Sequence, residues 1–468
     1  MGNITRFLKT SGTYFIGNVL SKLIVFFLLP LYTSELVPKD FGTFDLVVTL
    51  LSFFAPIAFF QIWDGMFRYS FDKHNNKEKY DVISNSFVVL IIGFLLYTFM
   101  FVIAYKIIHF ELDLLIFFYG LMVAINYQYT FIARVFLKNT LFVMTGILNT
   151  LLNAILNFIL IVYFNLGVES LYISFIAGAL LQVILIELNI HPIAKFRLNR
   201  LNKKLQLEMV KFSIPLCLAS ISYWLLSGYT RIVIAQELGN AANGLYAVAN
   251  RFGSLISLIV SIFQFAWNEM VYLMAKENDR FQKYELSMKY ILKVIVFGSA
   301  ILMLIIKIIF PHLIHSDYQD ALLLVPLTLI GIAFNSFAGF LGTIFMTEKN
   351  TKYILTTTVF GAVINIILLW TLTPLLGIQG AIGALCLAFV ALSFIRAYMV
   401  RKVIHINFPL IQFAYYLIFL SIVMYIFFNV ETTIGLLLYS TLLICILAFS
   451  LRNLIKPLLS MLFNKLKN

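Results

Sequence analysis

Residues 82–105 read VISNSFVVLIIGFLLYTFMFVIAY and contain no charged side chain. An α-helix needs about 20 consecutive apolar residues to cross the roughly 30 Å hydrocarbon core of a bilayer. Inside that core the backbone must satisfy its own hydrogen bonds, which a helix does and an irregular loop does not. The stretch therefore predicts a membrane-spanning helix.

Segments of this kind recur along all 468 residues. The chain is 62% hydrophobic and only 12% charged, whereas a soluble chain carries about 25% charged residues. The first apolar run lacks a small-residue cleavage site, so we expect it to be a retained span and not a signal peptide. The sequence predicts an all-α polytopic membrane protein with about 14 spans, namely 11–33, 42–62, 82–105, 111–131, 141–163, 168–190, 212–236, 243–266, 288–312, 318–345, 353–375, 378–400, 409–428 and 432–450.

The basic residues predict the orientation of these spans. Lys and Arg number 34 against 21 Asp and Glu, a net charge of +13. With a cytoplasmic N-terminus, the inner segments hold 28 of the 34 and the outer ones hold Lys39, Lys106 and Lys307. Cytoplasmic loops are enriched in Lys and Arg, so both termini are predicted to be cytoplasmic. The charges lie scattered between apolar segments, which excludes a nucleic-acid surface.

An internal repeat divides the chain. At a constant offset of 202 residues the matching pairs are Lys9 and Lys211, Glu35 and Glu237, Gly42 and Gly244, and Phe44 and Tyr246. Six spans per half give both halves the same orientation, as in parallel-repeat transporters with a central cavity. The predicted domains are a lobe at 1–190, a basic connector at 191–211, a lobe at 212–400, and two further helices with a basic cytoplasmic tail at 401–468. The connector either only fixes topology or also binds anionic head groups.

When basic residues near a span end are counted with the adjoining segment, three remain inside the predicted spans: Lys22, Arg231 and Arg251. A charge at the bilayer centre costs about 2.5–3.5 kcal/mol on insertion scales, so such residues indicate function. We predict that they bind an anionic group in the cavity. The alternative is a charge satisfied by a carbonyl or at the surface, and Arg231, close to a span end, could extend to the interface.

Polar residues at helical spacing accompany these cations. On span 8 they recur every three or four residues, which places them on one face, and spans 1 and 2 carry shorter stripes. The predicted cavity lining comprises Asn18, Thr49, Ser52, Asn250, Ser254, Ser257, Ser261 and Gln264. Ser and Thr also serve as small packing residues between membrane helices, which is the alternative interpretation.

Four further residues are candidates for a gate or for ion coupling: Asp45, Asp64, Arg68 and Glu269. Asp45 lies near the outer end of span 2, where an interfacial position is the alternative. Asp64 and Arg68 stand four residues apart and are expected to pair, as a local helix-end pair or as a cytoplasmic latch.

Several motifs are absent from the sequence. It contains no G-x-x-x-x-G-K-[ST] loop for ATP, its three cysteines form no C-x-x-C pair, and its histidines lack metal spacing. The outer loops are too short for a catalytic domain. We therefore expect neither an enzyme nor a metal or cofactor, and leave a proton or a sodium ion open as the coupling ion.

Leu29-Pro30-Leu31-Tyr32, Phe41-Gly42-Thr43-Phe44 and Arg68-Tyr69 resemble the opening of the oligosaccharide flippases. These Wzx-like polysaccharide exporters belong to the multidrug/oligosaccharidyl-lipid/polysaccharide (MOP) exporter superfamily, whose fold is MATE-like. The turns at Leu166-Gly167 and Leu376-Gly377 fit as well, so the resemblance covers essentially the whole chain.

This resemblance implies two six-helix lobes around a cavity of alternating access. The implied cargo is an oligosaccharide on a polyprenyl diphosphate, carried across the bacterial cytoplasmic membrane for O-antigen or capsule synthesis. Lys22 and Arg251 match the cationic positions that hold the diphosphate. The implied partners are a polysaccharide polymerase and glycosyltransferases, besides the bilayer. A cation-coupled multidrug exporter and a lipid II flippase are the alternatives. The first would favour a carboxylate deep in the cavity, and no Asp or Glu lies in mid-span.

Overall fold

The structure is a computed structural model, which describes residues 17, 19–73, 75–107, 112–274, 277, 279–348, 350–406 and 410–452. Within 262–273, side chains are described at 263, 264, 267, 270 and 271. The described residues contain helices and no strand, which confirms the predicted all-α class.

The chain divides into two compact units, Met1–Gly244 and Leu245–Asn468. The helices of the first unit are α1 (19–27), α2 (Leu29–Glu35), α3 (Pro38–Ala58), α4 (Ile62–Phe71), α5 (Asn76–Ile107), α6 (Asp113–Val135), α7 (Asn139–Val162), α8 (Glu169–Ile190), α9 (Lys203–Ser227) and α10 (Tyr229–Leu238). Helix α11 (Asn240–Met274) begins in the first unit. The second unit adds α12 (Arg280–Leu313), α13 (Val325–Thr347), α14 (Lys352–Ile404), α15 (Ile411–Asn429) and α16 (Thr433–Ser450).

Twelve helical segments of the described chain are long and apolar enough to cross a membrane. One of them, the 53-residue α14, contains two of the predicted spans. At Gly377 the φ angle is 58°, and a Cβ on Gly380 would lie 2.1 Å from the Leu372 carbonyl oxygen, eight residues earlier. The chain therefore folds back there, as two spans at 353–375 and 378–400 require. The first predicted span, 11–33, lies partly outside the described residues.

Span 2 differs from its prediction. It begins at Pro38, whose missing N–H is tolerated in the first helical turn, and it ends at Ala58. Phe60 and Gln61 then adopt left-handed backbone conformations, with φ of 55° and 46°. The predicted span 42–62 therefore covers most of α3, the turn at 59–61 and only the first residue of the separate helix α4.

In the first unit, two clusters of buried side chains hold together the helices from α3 through α9. One is centred on Ile62, Met66 and Ile132, and the other on Ala58, Phe59 and Tyr97. Helices α9 and α10 contact α3 and α4 in this unit. The predicted lobe boundary at 191–211 stays a prediction, and the compact units divide at Gly244.

The core of the second unit is built around α13. Its aromatic side chains Phe334, Phe337 and Phe340 are fully buried, and the Trp267 indole donates to the Phe340 carbonyl at 3.1 Å. The last two helices, α15 and α16, pack against α12. Lys307 of α12 donates to the Val430 carbonyl at 3.0 Å and also to that of Phe427, near the C-terminus of α15. A cation there complements the helix dipole.

Candidate functional site

The structure pairs one of the predicted cavity cations with one of the predicted gate acids. The Arg231 Nε atom of α10 lies 2.5 Å from the Asp45 Oδ2 atom of α3. Both side chains are mostly buried, 13% and 18% exposed. The pair satisfies both charges in this structure, which favours a link between helices for Arg231 and Asp45. The role of Arg231 in binding an anion stays a prediction.

Lys22 and Arg251 differ from Arg231 in this respect. Lys22 lies on α1 of the first unit, Arg251 lies on α11 in the second, and both are partly buried. Among the described residues, neither cation has a carboxylate oxygen within 4.0 Å. A cation in an apolar segment without such a partner is the environment in which an anionic ligand is most favourable.

Helix α11 presents the polar face that the sequence predicts. The predicted lining residues on this face are all partly exposed: Asn250, Ser254, Ser257, Ser261 and Gln264. The opposite face is buried and apolar: Val248, Ala249, Phe252, Ile256 and Val260. The Gln264 amide donates to the Thr343 hydroxyl at 3.1 Å, and Ser254 donates to the Arg251 carbonyl at 2.6 Å. The face thus offers hydroxyls and amides beside Arg251.

The predicted lining of span 2 lies next to α9. The Thr49 carbonyl accepts hydrogen bonds from the Ser52 hydroxyl, at 2.6 Å, and from the Trp224 indole N–H, at 2.8 Å. Thr49 is partly exposed and Ser52 is exposed. Asn18, the predicted lining residue of span 1, lies outside the described residues.

Asp64 and Arg68 do not pair with each other, so this prediction needs correction. Asp64 accepts from the Gln61 amide at 2.7 Å, and Gln61 in turn accepts from Ser220 of α9 at 3.1 Å. Arg68 forms an exposed pair with Asp72 at 2.5 Å. The left-handed conformation at Gln61 carries its amide to Asp64, and four-residue spacing offers Arg68 a second acid at Asp72.

Burial raises the pKa of the Asp64 carboxyl, while the Gln61 hydrogen bond and the charge of Arg134 act in the opposite direction. Asp64 lies on α4, which is not among the membrane-spanning segments. The side chain of Glu269, the fourth predicted gate residue, lies outside the described residues.

The repeat predicted from sequence appears as a reciprocal contact within the first unit. A Cβ on Gly42 would lie 1.9 Å from the Asn240 carbonyl oxygen, and a Cβ on Gly244 would lie 2.0 Å from that of Pro38. Gly42 and Gly244 are 202 residues apart in the sequence, and so are Pro38 and Asn240. Two copies of one surface meet here as in a two-fold symmetric interface.

Side-chain hydrogen bonds reinforce this crossing of α3 and α11. The Asn243 amide donates to the Gly42 carbonyl at 2.7 Å, and the Asn240 amide donates to the Thr43 hydroxyl at 2.9 Å. With the Arg231–Asp45 pair, these contacts hold the first turns of α3 to α10 and to the start of α11. We call the contacts of Pro38, Gly42, Thr43 and Asp45 with four later residues the repeat crossing; those residues are Arg231, Asn240, Asn243 and Gly244.

Sequence reasoning missed Arg396 as an intramembrane cation, because Arg396 lies close to the inner end of its predicted span and was assigned to the adjoining cytoplasmic segment. It lies on α14 and is only 6% exposed. Its guanidinium donates to the hydroxyls of Thr357 and Thr358, at 3.1 and 2.9 Å, and to the Ala338 carbonyl at 2.9 Å. The available signal was its position inside the predicted span 378–400. Its contacts join both arms of α14 to α13, which is a structural role.

A model of the family described as "Polysaccharide biosynthesis protein" matches residues 7–267, more than half of the chain. No curated protein sequence matches this chain.

Among solved structures, a lipid II flippase, MurJ, in an inward closed conformation is similar with a TM-score of 0.71 and 15% identity, over 96% of this chain and 100% of that one. An inward-facing multidrug resistance MATE family transporter of the MOP superfamily has a TM-score of 0.66 and 14% identity, over 87% and 94%. A mutant of the MATE transporter VcmN of Vibrio cholerae has a TM-score of 0.55 and 14% identity, over 86% and 98%. At these identities the likeness shows the fold, which confirms the predicted MATE-like class.

Proposed function

This chain belongs to the polysaccharide biosynthesis protein family of the MOP superfamily, and we propose that it flips an oligosaccharide linked to a polyprenyl diphosphate. The family and the fold support a multi-pass membrane flippase or exporter. The identity of the cargo, the bacterial cytoplasmic membrane as its location, and the cytoplasmic termini are our proposals. A role in cell-surface polysaccharide synthesis follows from that cargo.

The observation that carries the proposal is that Lys22, in the first unit, and Arg251, in the second, are each partly buried and each without a carboxylate partner among the described residues. A diphosphate entering an apolar region loses its hydration, and cationic donors replace it with charge-assisted hydrogen bonds. The Arg guanidinium adds a planar fork that matches phosphate oxygens. These two residues therefore have the chemistry that a lipid diphosphate requires.

The polar face of α11 supplies the complementary chemistry for the sugar. Hydroxyl and amide groups such as Ser254, Ser257 and Gln264 donate and accept hydrogen bonds, and all three are partly exposed. The polyprenyl chain can remain in the lipid, since it needs no polar partner.

We propose that the repeat crossing acts as the outer gate of the flippase. On the predicted topology, α3 begins and α10 ends at the outer surface, so the contacts of Gly42, Gly244, Asp45 and Arg231 hold the outer ends of these helices together. Release of cargo to the outside then requires their separation. A proton, a sodium ion or the membrane potential remains the proposed energy source.

Two alternatives keep the same fold. A cation-coupled multidrug exporter needs a carboxylate available to a cationic drug, and Asp45, one of the predicted gate or coupling acids, is neutralised by Arg231. This disfavours the multidrug exporter. A lipid II flippase also carries a polyprenyl diphosphate and is distinguished by its sugar and peptide alone.

Complementation of a flippase-null strain tests the proposal. We expect Lys22→Ala and Arg251→Ala each to abolish complementation while the protein still reaches the membrane. Lys39→Ala is the matched control, because it removes an exposed cation near the start of α3, and it should retain full activity. Full activity of both cavity variants would contradict the assignment of the diphosphate site.

A further inference from the structure

An apolar groove of about 480 Å³ lies on the first compact unit, between α5, α6, α8 and the connector. Its lining includes Phe87, Ile91, Met122, Leu180, Ile193 and Phe196, and no charged residue. Ile91 and Ile193 are 59% and 62% exposed, so the groove opens at the surface of the unit. Its volume lies in the range of about 300–1,000 Å³ typical of ligand sites. We call it the connector groove.

The position of the connector groove indicates hydrocarbon as its occupant. It lies where α8 ends and the connector begins, at Ile193 and Phe196. On the predicted topology this is the cytoplasmic half of the bilayer. An apolar surface open to lipid at this depth is covered by acyl chains, because water would leave its apolar area unburied.

Basic residues border the connector end of the groove. Lys195 and Arg197 flank Phe196 in sequence, and both are exposed, whereas Phe196 is partly buried. The Lys195 ammonium donates to the Tyr80 hydroxyl at 3.0 Å and lies 4.5 Å from the centre of its ring. Within the described part of the chain, neither cation has a carboxylate oxygen within 4.0 Å.

Two acids near this border, Glu187 and Asp81, contact other partners. The Glu187 carboxylate accepts from the Ile193 N–H, at 3.2 Å, and from the Tyr129 hydroxyl, at 3.0 Å. Asp81 lies 3.9 Å from Arg200. Glu187 thus links the connector to α6 and α8, and neither Glu187 nor Asp81 lies within 4.0 Å of the Lys195 or Arg197 nitrogens.

We propose that the connector groove binds an acyl chain of an anionic phospholipid of the cytoplasmic leaflet, with the lipid phosphate between Lys195 and Arg197. The inference joins two independent features, an apolar groove open at the surface of the unit and a cationic border that lies at head-group depth on the predicted topology. Clusters of Lys and Arg at the cytoplasmic surface favour anionic lipids. The site is separate from the proposed cargo site, since it uses neither Lys22 nor Arg251.

Native mass spectrometry of the full chain tests the proposal. The protein in detergent is mixed with equal amounts of phosphatidylglycerol and phosphatidylcholine that have the same chains. We expect wild type to retain phosphatidylglycerol preferentially. Lys195→Ala and Arg197→Ala should each reduce that preference about fivefold. The matched control is the double variant Lys203→Ala/Lys204→Ala. It removes two exposed charges of the same connector that do not line the groove, and it should leave the preference for phosphatidylglycerol unchanged.

A second variant tests the groove itself. Leu180→Trp fills it from α8, where Leu180 is 46% exposed, and should reduce retention of both lipids while the melting temperature stays at the wild-type value. An equal loss of the phosphatidylglycerol preference in the Lys203/Lys204 control would overturn the proposal in favour of a diffuse basic surface. Displacement of phosphatidylglycerol by an equimolar polyprenyl phosphate would instead assign the groove to the cargo.

Discussion

Arg231 and Asp45 show how one contact determines what an intramembrane charge can do. Each charge alone would be costly in an apolar setting, and at 2.5 Å they compensate one another. Lys22 and Arg251 occupy comparable segments without such a contact in the described part of the chain. The difference in partners, and not depth alone, separates the helix-linking cation Arg231 from the two cations that we propose bind a ligand.

A double-mutant cycle tests the Arg231–Asp45 pair. Asp45→Asn or Arg231→Gln alone leaves the other charge mostly buried, so each should destabilise the protein. The double variant should be more stable than the sum predicts, with a coupling of about 0.5–3 kcal/mol. Thermal unfolding in one detergent measures this. As a control, Asp72→Asn in the exposed Arg68–Asp72 pair should have no measurable effect, and additivity at residues 45 and 231 would refute the link.

Arg396 yields a second prediction at this scale. Thr358→Val removes an acceptor from a buried guanidinium and should cost about 1–3 kcal/mol of stability. The same change should have little effect in an Arg396→Met background, where no cation needs the hydroxyl. Thr356→Val is the control, because the Thr356 hydroxyl is exposed and bonds only to its own helix. Equal melting shifts in the two backgrounds would show that Thr358 acts independently of Arg396.

Sequence reasoning located Lys22, Arg231 and Arg251 as unusual cations but could not assign their partners. The Arg231–Asp45 contact joins residues 186 positions apart, and no local pattern indicates such a pairing. Asp64 and Arg68 illustrate the same limit, since helical spacing allowed two acids for Arg68 and the structure selects Asp72.

At the scale of elements, the repeat crossing depends on two glycines. A Cβ at Gly42 or Gly244 would lie within about 2 Å of a backbone oxygen, far inside van der Waals contact. Backbone atoms cannot move aside as a flexible side chain can. The helices can approach this closely only because neither glycine has a side chain.

Gly42→Ala and Gly244→Ala should therefore separate the ends of α3 and α11. The separation can be measured as disulfide formation between Thr43→Cys and Asn240→Cys, whose wild-type side chains are hydrogen-bonded at 2.9 Å, with Cys445→Ser removing the exposed native thiol. We expect efficient crosslinking without the glycine changes and a severalfold loss with either. Gly383→Ala is the control, since a Cβ there meets no atom within 4 Å. Undiminished crosslinking in the Gly42 and Gly244 variants would argue against the close approach.

Hydropathy predicted most helices to within a few residues, because membrane spans are long and uniformly apolar. It missed the break between α3 and α4, where Phe60 and Gln61 take left-handed conformations without a glycine or proline at either position. Tertiary contacts such as Ser220 to Gln61 hold that turn, and these are not visible in local sequence.

At the scale of the whole molecule, a sequence repeat underlies the predicted two-lobe architecture. The offset of 202 residues, found from weak matches, is reproduced by the reciprocal contacts of Gly42 and Gly244. The net charge of +13 mostly marks the predicted cytoplasmic side, and the proposed cargo site uses only two intramembrane cations, Lys22 and Arg251. Composition therefore predicted the membrane fold, while the cargo depends on individual residues.

Transport in reconstituted vesicles tests the central claim most directly. The purified full chain is placed in liposomes whose outer leaflet carries a polyprenyl diphosphate with a fluorescent oligosaccharide, and the fraction protected from a membrane-impermeant glycosidase is followed. We predict that wild type and Lys39→Ala move the lipid at equal rates. Lys22→Ala and Arg251→Ala should be about 10- to 100-fold slower, since each removes a charged hydrogen bond to the diphosphate. Equal rates in all four proteins, or movement of a cationic dye without movement of the lipid, would contradict the account.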